Sequence, residues 1–393
     1  MTTKNHRKHS DLKRPAYGNY HVNEWAITGA PCAVIQELAG KIIHFMKGKF
    51  KIAYIDAKHE EEGATSLPGQ LQHGAISQFI SHRDFQQVSV SKTPNAFEYR
   101  ALFSQADLVL VNGNHHQAKA QILIIDERKK DSVKKRIEQL NNVRLILTTD
   151  AQSEIYDFIK EAIPGWQNIP VYSLNDTEKI AAFLKEQVTA GRSSLNGLVL
   201  AGGKSMRMGE DKSNLKWHGR EQKYYLADQL SHYCDQVFIS CRAEQVAELE
   251  SSYKPLADVF IGLGPYGAIL SAFQLDPDKA WLVVACDLPM LTAQTLQLLI
   301  EKRNISVLAT TFESSFDGKP EPLITIWEPK SYPVLLSYLS QGYSCPRKVL
   351  LNNEIELLKA PNDDELMNVN TTEEAEKARK ILDSKNSEAH VTR

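Results

Sequence analysis

The 393-residue chain is short of cysteine and of long apolar runs, and its charges nearly cancel. Its five cysteines, Cys32, Cys234, Cys241, Cys286 and Cys345, are odd in number and widely spaced, and none forms a Cys-x-x-Cys pair. That supports neither a disulfide framework nor a zinc site, and a reduced cytoplasmic protein is the simplest reading. No stretch reaches the roughly 18 uninterrupted apolar residues a membrane helix needs, so no membrane contact is expected. A formal net charge of −2 argues against nucleic acid as the main partner. Residues 1–21 are polar and basic (Lys4, Arg7, Lys8, Lys13, Arg14) with no apolar core behind them; this is not a secretory signal, and a disordered tail is expected. The rest is ordinary globular composition, 42% hydrophobic, with length for two domains.

Residues 22–172 read as an α/β domain. Trp25 to Thr28 is a strand, Gly29-Ala30-Pro31 a turn, Ala33 to Met46 a helix by its apolar spacing, and Lys51 to Ile55 a second strand. Strand, glycine turn, helix, strand is the frame of a P-loop domain, but the loop is broken. Laying Gly-x-x-x-x-Gly-Lys-Ser/Thr on Gly29 puts Val34, Ile35 and Gln36 where the glycine, the phosphate-binding lysine and the magnesium-binding hydroxyl belong. Further strands are expected over Ala106 to Asn112, Gln121 to Asp126 and Val143 to Thr149. His59 with Glu60, Glu61 and Glu62, and the pair His115-His116, could be metal ligands, although nothing pairs them at ligand spacing and solvated polar loops explain them as well. Residues 173–194, a helical pattern closed by Gly191-Arg192-Ser193-Ser194, read as the join between domains.

Residues 195–384 alternate strand and helix as a Rossmann-like, mostly parallel sheet requires, followed by a tail over 385–393. The organising stretch is Leu198 to Lys212: an apolar strand, Gly197 to Ala201, breaks at Gly202-Gly203 into a loop carrying Lys204, Arg207 and Lys212. Two glycines let backbone N–H groups approach an anion, and three cations in nine residues supply charge, which is what a polyphosphate needs. Strand Trp281 to Ala285 then delivers Cys286-Asp287-Leu288-Pro289. A carboxylate just past a strand's C-terminal end lies where open α/β sheets bind ligands. Asp287 could cap the helix beginning near Thr292; beside a cationic glycine loop it reads as a magnesium ligand, since Mg²⁺ takes one or two carboxylates plus substrate phosphates.

The order Leu-Ala-Gly-Gly-x-Ser-x-Arg-Met-Gly-x-Asp-Lys resembles the signature of the nucleotidyltransferase superfamily, and within it the molybdenum cofactor guanylyltransferases, the MobA family. The resemblance implies that Leu200, Ala201, Gly202 and Gly203 touch the base and phosphates, and that Arg207 and Lys212 hold phosphate oxygens. Cys286-Asp287-Leu288-Pro289 matches the family's magnesium motif, Asp258 falls at its nucleotide-contacting aspartate, and Gly264-Pro265-Tyr266-Gly267 matches a Gly-Pro-Leu-x-Gly loop with tyrosine for leucine. Glu321-Pro322 resembles a short motif before a strand, and Asn368-Val369-Asn370-Thr371 a segment on the pterin side, where Thr371 and Glu374 also form a capping box. Cys241-Arg242 stands where the family often has asparagine. Residues 22–172 are similar in layout to the MobB family, the P-loop partner of that enzyme, with Asn112 where glutamate is usual. Together these imply a Mg²⁺-dependent transfer of GMP from GTP to molybdopterin, with apoenzymes or other cofactor-biosynthesis proteins as partners. A CTP-dependent cytidylyltransferase, of the same pterin or of a methylerythritol-type alcohol phosphate, and a non-catalytic molybdopterin-binding adaptor stay open.

Overall fold

The computed structural model describes residues 20–57, 67–149, 154–202 and 212–391. The chain divides into two compact units after Gly191. In the first, β1 (Glu24–Thr28), β2 (Ile52–Ile55), β5 (Leu108–Asn112), β6 (Ala120–Ile125), β7 (Val143–Thr148) and β8 (Val171–Ser173) form one sheet in the order β2-β5-β1-β6-β7-β8, parallel throughout. Every residue of β5 and β6 is buried, because crossover helices cover both faces of a parallel sheet. Between β2 and β5 the sequence reading had no element. There β3 (Ser77–Ser81) and β4 (Gln86–Val90) make a separate antiparallel hairpin.

Three domain boundaries differ from expectation. Tyr20, assigned to the tail, is buried, with its ring edge-on to Tyr99 at 5.2 Å. The helix expected as the inter-domain join, Thr177–Ala190, packs on the Cys32–Met46 helix of the first unit, and Phe183 meets Trp25 edge-on at 5.9 Å. Its apolar stripe Ile180, Ala181, Leu184 and Val188 is buried; periodicity revealed the helix but not what covers it. The last helix runs Thr372–Val391, through residues expected as tail, since no glycine or proline interrupts it.

The second unit holds a seven-stranded sheet. Its strands are β9 (Leu195–Leu200), β10 (Gln236–Cys241), β11 (Lys254–Ala257), β12 (Ala280–Ala285), β13 (Ala309–Glu313), β14 (Pro320–Trp327) and β15 (Glu356–Leu358), in the order β11-β10-β9-β12-β14-β13-β15. The first four are parallel, and β14 runs antiparallel to both β12 and β13. The two-residue period of a strand splits β12 between two cores, with Leu282 and Val284 on one face and Trp281 and Val283 on the other.

Beyond β14 lies a buried ion pair: Arg303 donates to both carboxylate oxygens of Glu328 at 2.6 and 2.8 Å, with the two side chains 4% and 3% exposed. Removing one partner strands the other charge away from water. Arg303→Ala is therefore expected to lower the unfolding free energy by about 3–5 kcal/mol. Denaturant unfolding checks this, and a loss below about 1 kcal/mol, the scale of an exposed pair, contradicts it.

Candidate functional site

Because β9, β10, β11 and β12 are parallel, their C-terminal ends share one edge of the sheet. Leu200 pairs with Ala285 in the β9–β12 ladder, so Gly202 and Asp287 each stand two residues past paired positions on adjacent strands. The edge is stitched by backbone bonds: Ala201 N–H to Ser240 O (3.2 Å), Cys286 N–H to Leu200 O (3.3 Å) and Asp258 N–H to Cys241 O (3.1 Å). Thus the turn Leu200-Ala201-Gly202, Asp258 and Asp287 stand along the same end of the sheet, although they are up to 87 residues apart in the chain. Gly203 and Arg207 lie outside the described residues, and Lys212 opens a short 3-10 turn, Lys212–Asn214.

Asp287 is half-buried, and the N-cap position of the following helix belongs to Thr292. The Thr292 hydroxyl accepts from Thr295 N–H. Asp258 sits three strand spacings away, roughly 14 Å at the usual 4.7–4.9 Å per strand, so the two carboxylates cannot grip one ion. Burial pushes the Asp258 carboxyl above its ordinary value, partly offset by the Ser240 hydroxyl donating to Oδ1 at 2.9 Å. Ser240 was missed from sequence; an inward-pointing serine at a strand end has no local signature.

Cys241, standing where asparagine is usual, is a buried thiol whose pKa burial raises. Arg242 turns back to Gln245, its N–H and Nε both donating to Oε1. Cys241 and Gln245, with Ala201, line a small cavity of about 30 Å³ shared with Ser213, Asn214 and Lys223. Gly264-Pro265-Tyr266-Gly267 is not wholly a loop: the helix begins at Pro265, with Gly264 as its N-cap. Tyr266 is fully buried and donates its hydroxyl to Leu335 O at 2.7 Å, so the departure from leucine is absorbed by the core. A side chain at Gly267 would place Cβ 2.2 Å from Phe260 O, which only glycine avoids.

The C-terminal Asn-Val-Asn-Thr segment reaches the same edge. Val369 N–H donates to Asp287 O at 2.8 Å, leaving Asn368 and Asn370 half-buried on either side. The expected capping box forms: Glu374 N–H donates to Thr371 Oγ1, and Glu374 Oε2 accepts from Thr371 N–H and Asn370 N–H. Glu321, at the start of β14, is buried and paired with Arg347 at 3.2 Å.

In the first unit, Ile35 is fully buried with Leu38 and Ile42. Gln36 donates to Asp56 Oδ2 at 2.9 Å, as does Tyr54 at 2.7 Å; Asn112 Nδ2 and Ala57 N–H fill Oδ1 at 2.9 and 2.8 Å. Burial pushes Asp56 up, but these four donors outweigh it and hold the carboxyl at about 2. Its acceptor sites are thus taken by the protein. A glutamate in place of Asn112 would set a second carboxylate against Asp56, which makes the asparagine intelligible. Gly29 has φ +90, and a Cβ there would lie 2.2 Å from Ile124 O, so strand packing alone demands the glycine. His115 sits 3.4 Å from Cys32 Sγ, and among the described residues no three histidine, cysteine or acidic side chains form a metal-holding group. His59 and Glu60, Glu61 and Glu62 lie outside the described residues. No described helix is long and apolar enough to cross a membrane.

Residues 197–355 match the MobA-like NTP transferase domain, so the second unit belongs to the nucleotidyltransferases. The molybdenum cofactor biosynthesis bifunctional protein of Synechocystis sp. is 34% identical over 184 residues, covering 47% of this chain and 53% of that protein; this chain thus spans about half the length of that relative. The probable molybdenum cofactor guanylyltransferase of Bacillus subtilis is 32% identical over 148 residues, 37% of this chain and 72% of that one. The chain belongs to the molybdenum cofactor guanylyltransferase family. A MobB protein homolog from Bacillus stearothermophilus is similar at 17% identity and TM-score 0.31, over 43% of this chain and 99% of its own.

Proposed function

We propose that the second unit transfers GMP from GTP to the terminal phosphate of molybdopterin, releasing pyrophosphate and forming molybdopterin guanine dinucleotide. The observation that supports the reading is the Val369 N–H to Asp287 O bond, which ties the Asn368–Asn370 segment, read as the acceptor side, to the backbone of the Asp287 turn, one strand from Gly202. Donor and acceptor phosphates would then meet at one sheet edge, and holding two reactants in line is the larger part of what phosphoryl and nucleotidyl transfer require.

In this reading the pterin phosphate attacks the α-phosphorus of GTP, and the bond to the β-phosphate breaks. A phosphate is already ionised at pH 7, its second pKa being about 6, so no general base is needed and no histidine is assigned. Amides at Gly202 and Gly203 receive phosphate oxygens, Arg207 and Lys212 neutralise them, and Leu200 and Ala201 face the base. Asp258, with Oδ1 held by Ser240, would accept from the nucleoside. Asp287 fits Mg²⁺: it is a half-buried carboxylate at the edge where phosphates would lie, and Mg²⁺ needs only one or two such ligands when a nucleotide supplies the rest. When bound, the ion would neutralise charge developing on the phosphate oxygens.

Incubating the purified protein with each nucleoside triphosphate, Mg²⁺ and molybdopterin tests this. The guanine dinucleotide and pyrophosphate are the expected products. The cytosine dinucleotide would name a cytidylyltransferase, and no dinucleotide with any base would leave an adaptor. The first unit is expected to add no nucleotide site, because Ile35 is core and the Asp56 carboxylate is saturated. Calorimetry of the full chain with GTP and Mg²⁺ should count one site, and a second of micromolar affinity would overturn this.

A further inference from the structure

Three consecutive carbonyls of the turn that carries Asp287 are each held by a different residue from elsewhere in the second unit. Asp287 O accepts from Val369 N–H at 2.8 Å, Leu288 O from Gln222 Nε2 at 3.2 Å and Pro289 O from His218 Nε2 at 2.8 Å. A carbonyl can only accept, so His218 Nε2 must carry its hydrogen. The imidazole is held flat against the Tyr225 ring, centroids 4.0 Å apart and 18° from parallel. Gln222 is wholly buried at the start of the Gln222–Ser231 helix, and its own N–H is tied to Leu215 O. Leu288, Met290 and Leu291 are buried as well.

His218 and Gln222 also belong to the stretch that runs on from Lys212, the end of the cationic glycine loop. Their two side chains therefore bolt that stretch to the Asp287 turn, across 71 and 66 residues of sequence. We infer that His218 and Gln222 are positioning residues, which fix the backbone of the Asp287 turn, and with it the direction of the carboxylate, relative to the stretch that follows Lys212. The inference rests on the reading of Asp287 as the metal ligand. A strand-end carboxylate on an untethered turn would sweep several directions; with three carbonyls pinned, its backbone has one. Groups that orient a ligand in this way typically govern metal affinity or activity by 10–100-fold.

The test uses the full chain, GTP and Mn²⁺ as a paramagnetic stand-in, with free Mn²⁺ read by electron paramagnetic resonance and turnover measured separately. His218→Phe keeps a ring against Tyr225 but has no donor; His218→Gln keeps an N–H donor at about the same reach. In His218→Phe the Mn²⁺ affinity of the GTP complex should fall about tenfold and kcat with it, while KM for GTP stays within about twofold. His218→Gln should recover most of both losses, and Gln222→Leu should behave as His218→Phe. Asp287→Asn is the control for the underlying reading. If it loses Mn²⁺ while His218→Phe binds as wild type, the positioning role alone is overturned. If Asp287→Asn itself binds Mn²⁺ as wild type, the metal assignment falls and the inference with it. A His218→Phe defect that His218→Gln does not relieve also overturns it, because the lost property would then be the imidazole and not the donor.

Discussion

Asp287→Asn is expected to lower guanylyl transfer some thousands-fold while leaving the fold intact. The substitution keeps the side chain's shape and every backbone contact of its turn, including the bond from Val369 N–H to the residue's carbonyl. What it removes is the negative charge at the sheet edge. Losing a metal's stabilisation of the transition state costs several kcal/mol, and each 1.36 kcal/mol is about tenfold in rate. Turnover should be measured in saturating Mg²⁺, with circular dichroism and the melting temperature reporting on the fold. Wild-type turnover under those conditions sinks the assignment.

GTP is expected to outcompete CTP by about a hundredfold or more. Guanine users in the resembled family carry Leu-Ala-Gly-Gly at the base-contacting turn, as residues 200–203 do here, whereas cytosine users usually carry Leu-Ala-Ala-Gly. In the proposed reading, a glycine at 202 would leave room for the larger purine and would expose its N–H and C=O to the base edge. A site built for one base leaves polar groups unpaired with another, at about 1–3 kcal/mol per group, and two such mismatches give discrimination of that size. The turn also makes the test clean. Among the described residues, the nearest atoms to a Cβ built on Gly202 are Cys241 Cα at 3.5 Å and Arg242 N and Cys241 C at 3.6 Å, ordinary contacts, so Gly202→Ala should fold normally. It is expected to narrow the GTP:CTP ratio, measured by competition at equal concentrations. If CTP wins with the wild-type protein, the guanylyl assignment is wrong and nucleotidyl transfer survives.

The sequence by itself determined the α/β class and the main strands of both sheets, though not the β3–β4 hairpin. Gly197 to Ala201 and Trp281 to Ala285 read as strands because both faces of a parallel strand are buried and each run is apolar; the strands observed there are Leu195–Leu200 and Ala280–Ala285. The Thr371–Glu374 cap was legible because capping chemistry acts within a few residues. The break in the first unit was legible too, since a lysine and a hydroxyl either stand at Ile35 and Gln36 or do not. What filled the break was not: that Gln36 and Asn112 would spend their amides on Asp56 follows from the ends of β2 and β5, 56 residues apart, meeting beside the Cys32–Met46 helix. The same holds for the Thr177–Ala190 helix, whose stripe looks alike as a linker or as a cover and whose packing on the Cys32–Met46 helix decides which. Tertiary structure alone brought Ser240 to Asp258, His218 to Pro289, Gln222 to Leu288 and Val369 to Asp287. A hydrogen bond between distant residues leaves no periodicity and no local composition, since any segment able to place a donor there would serve.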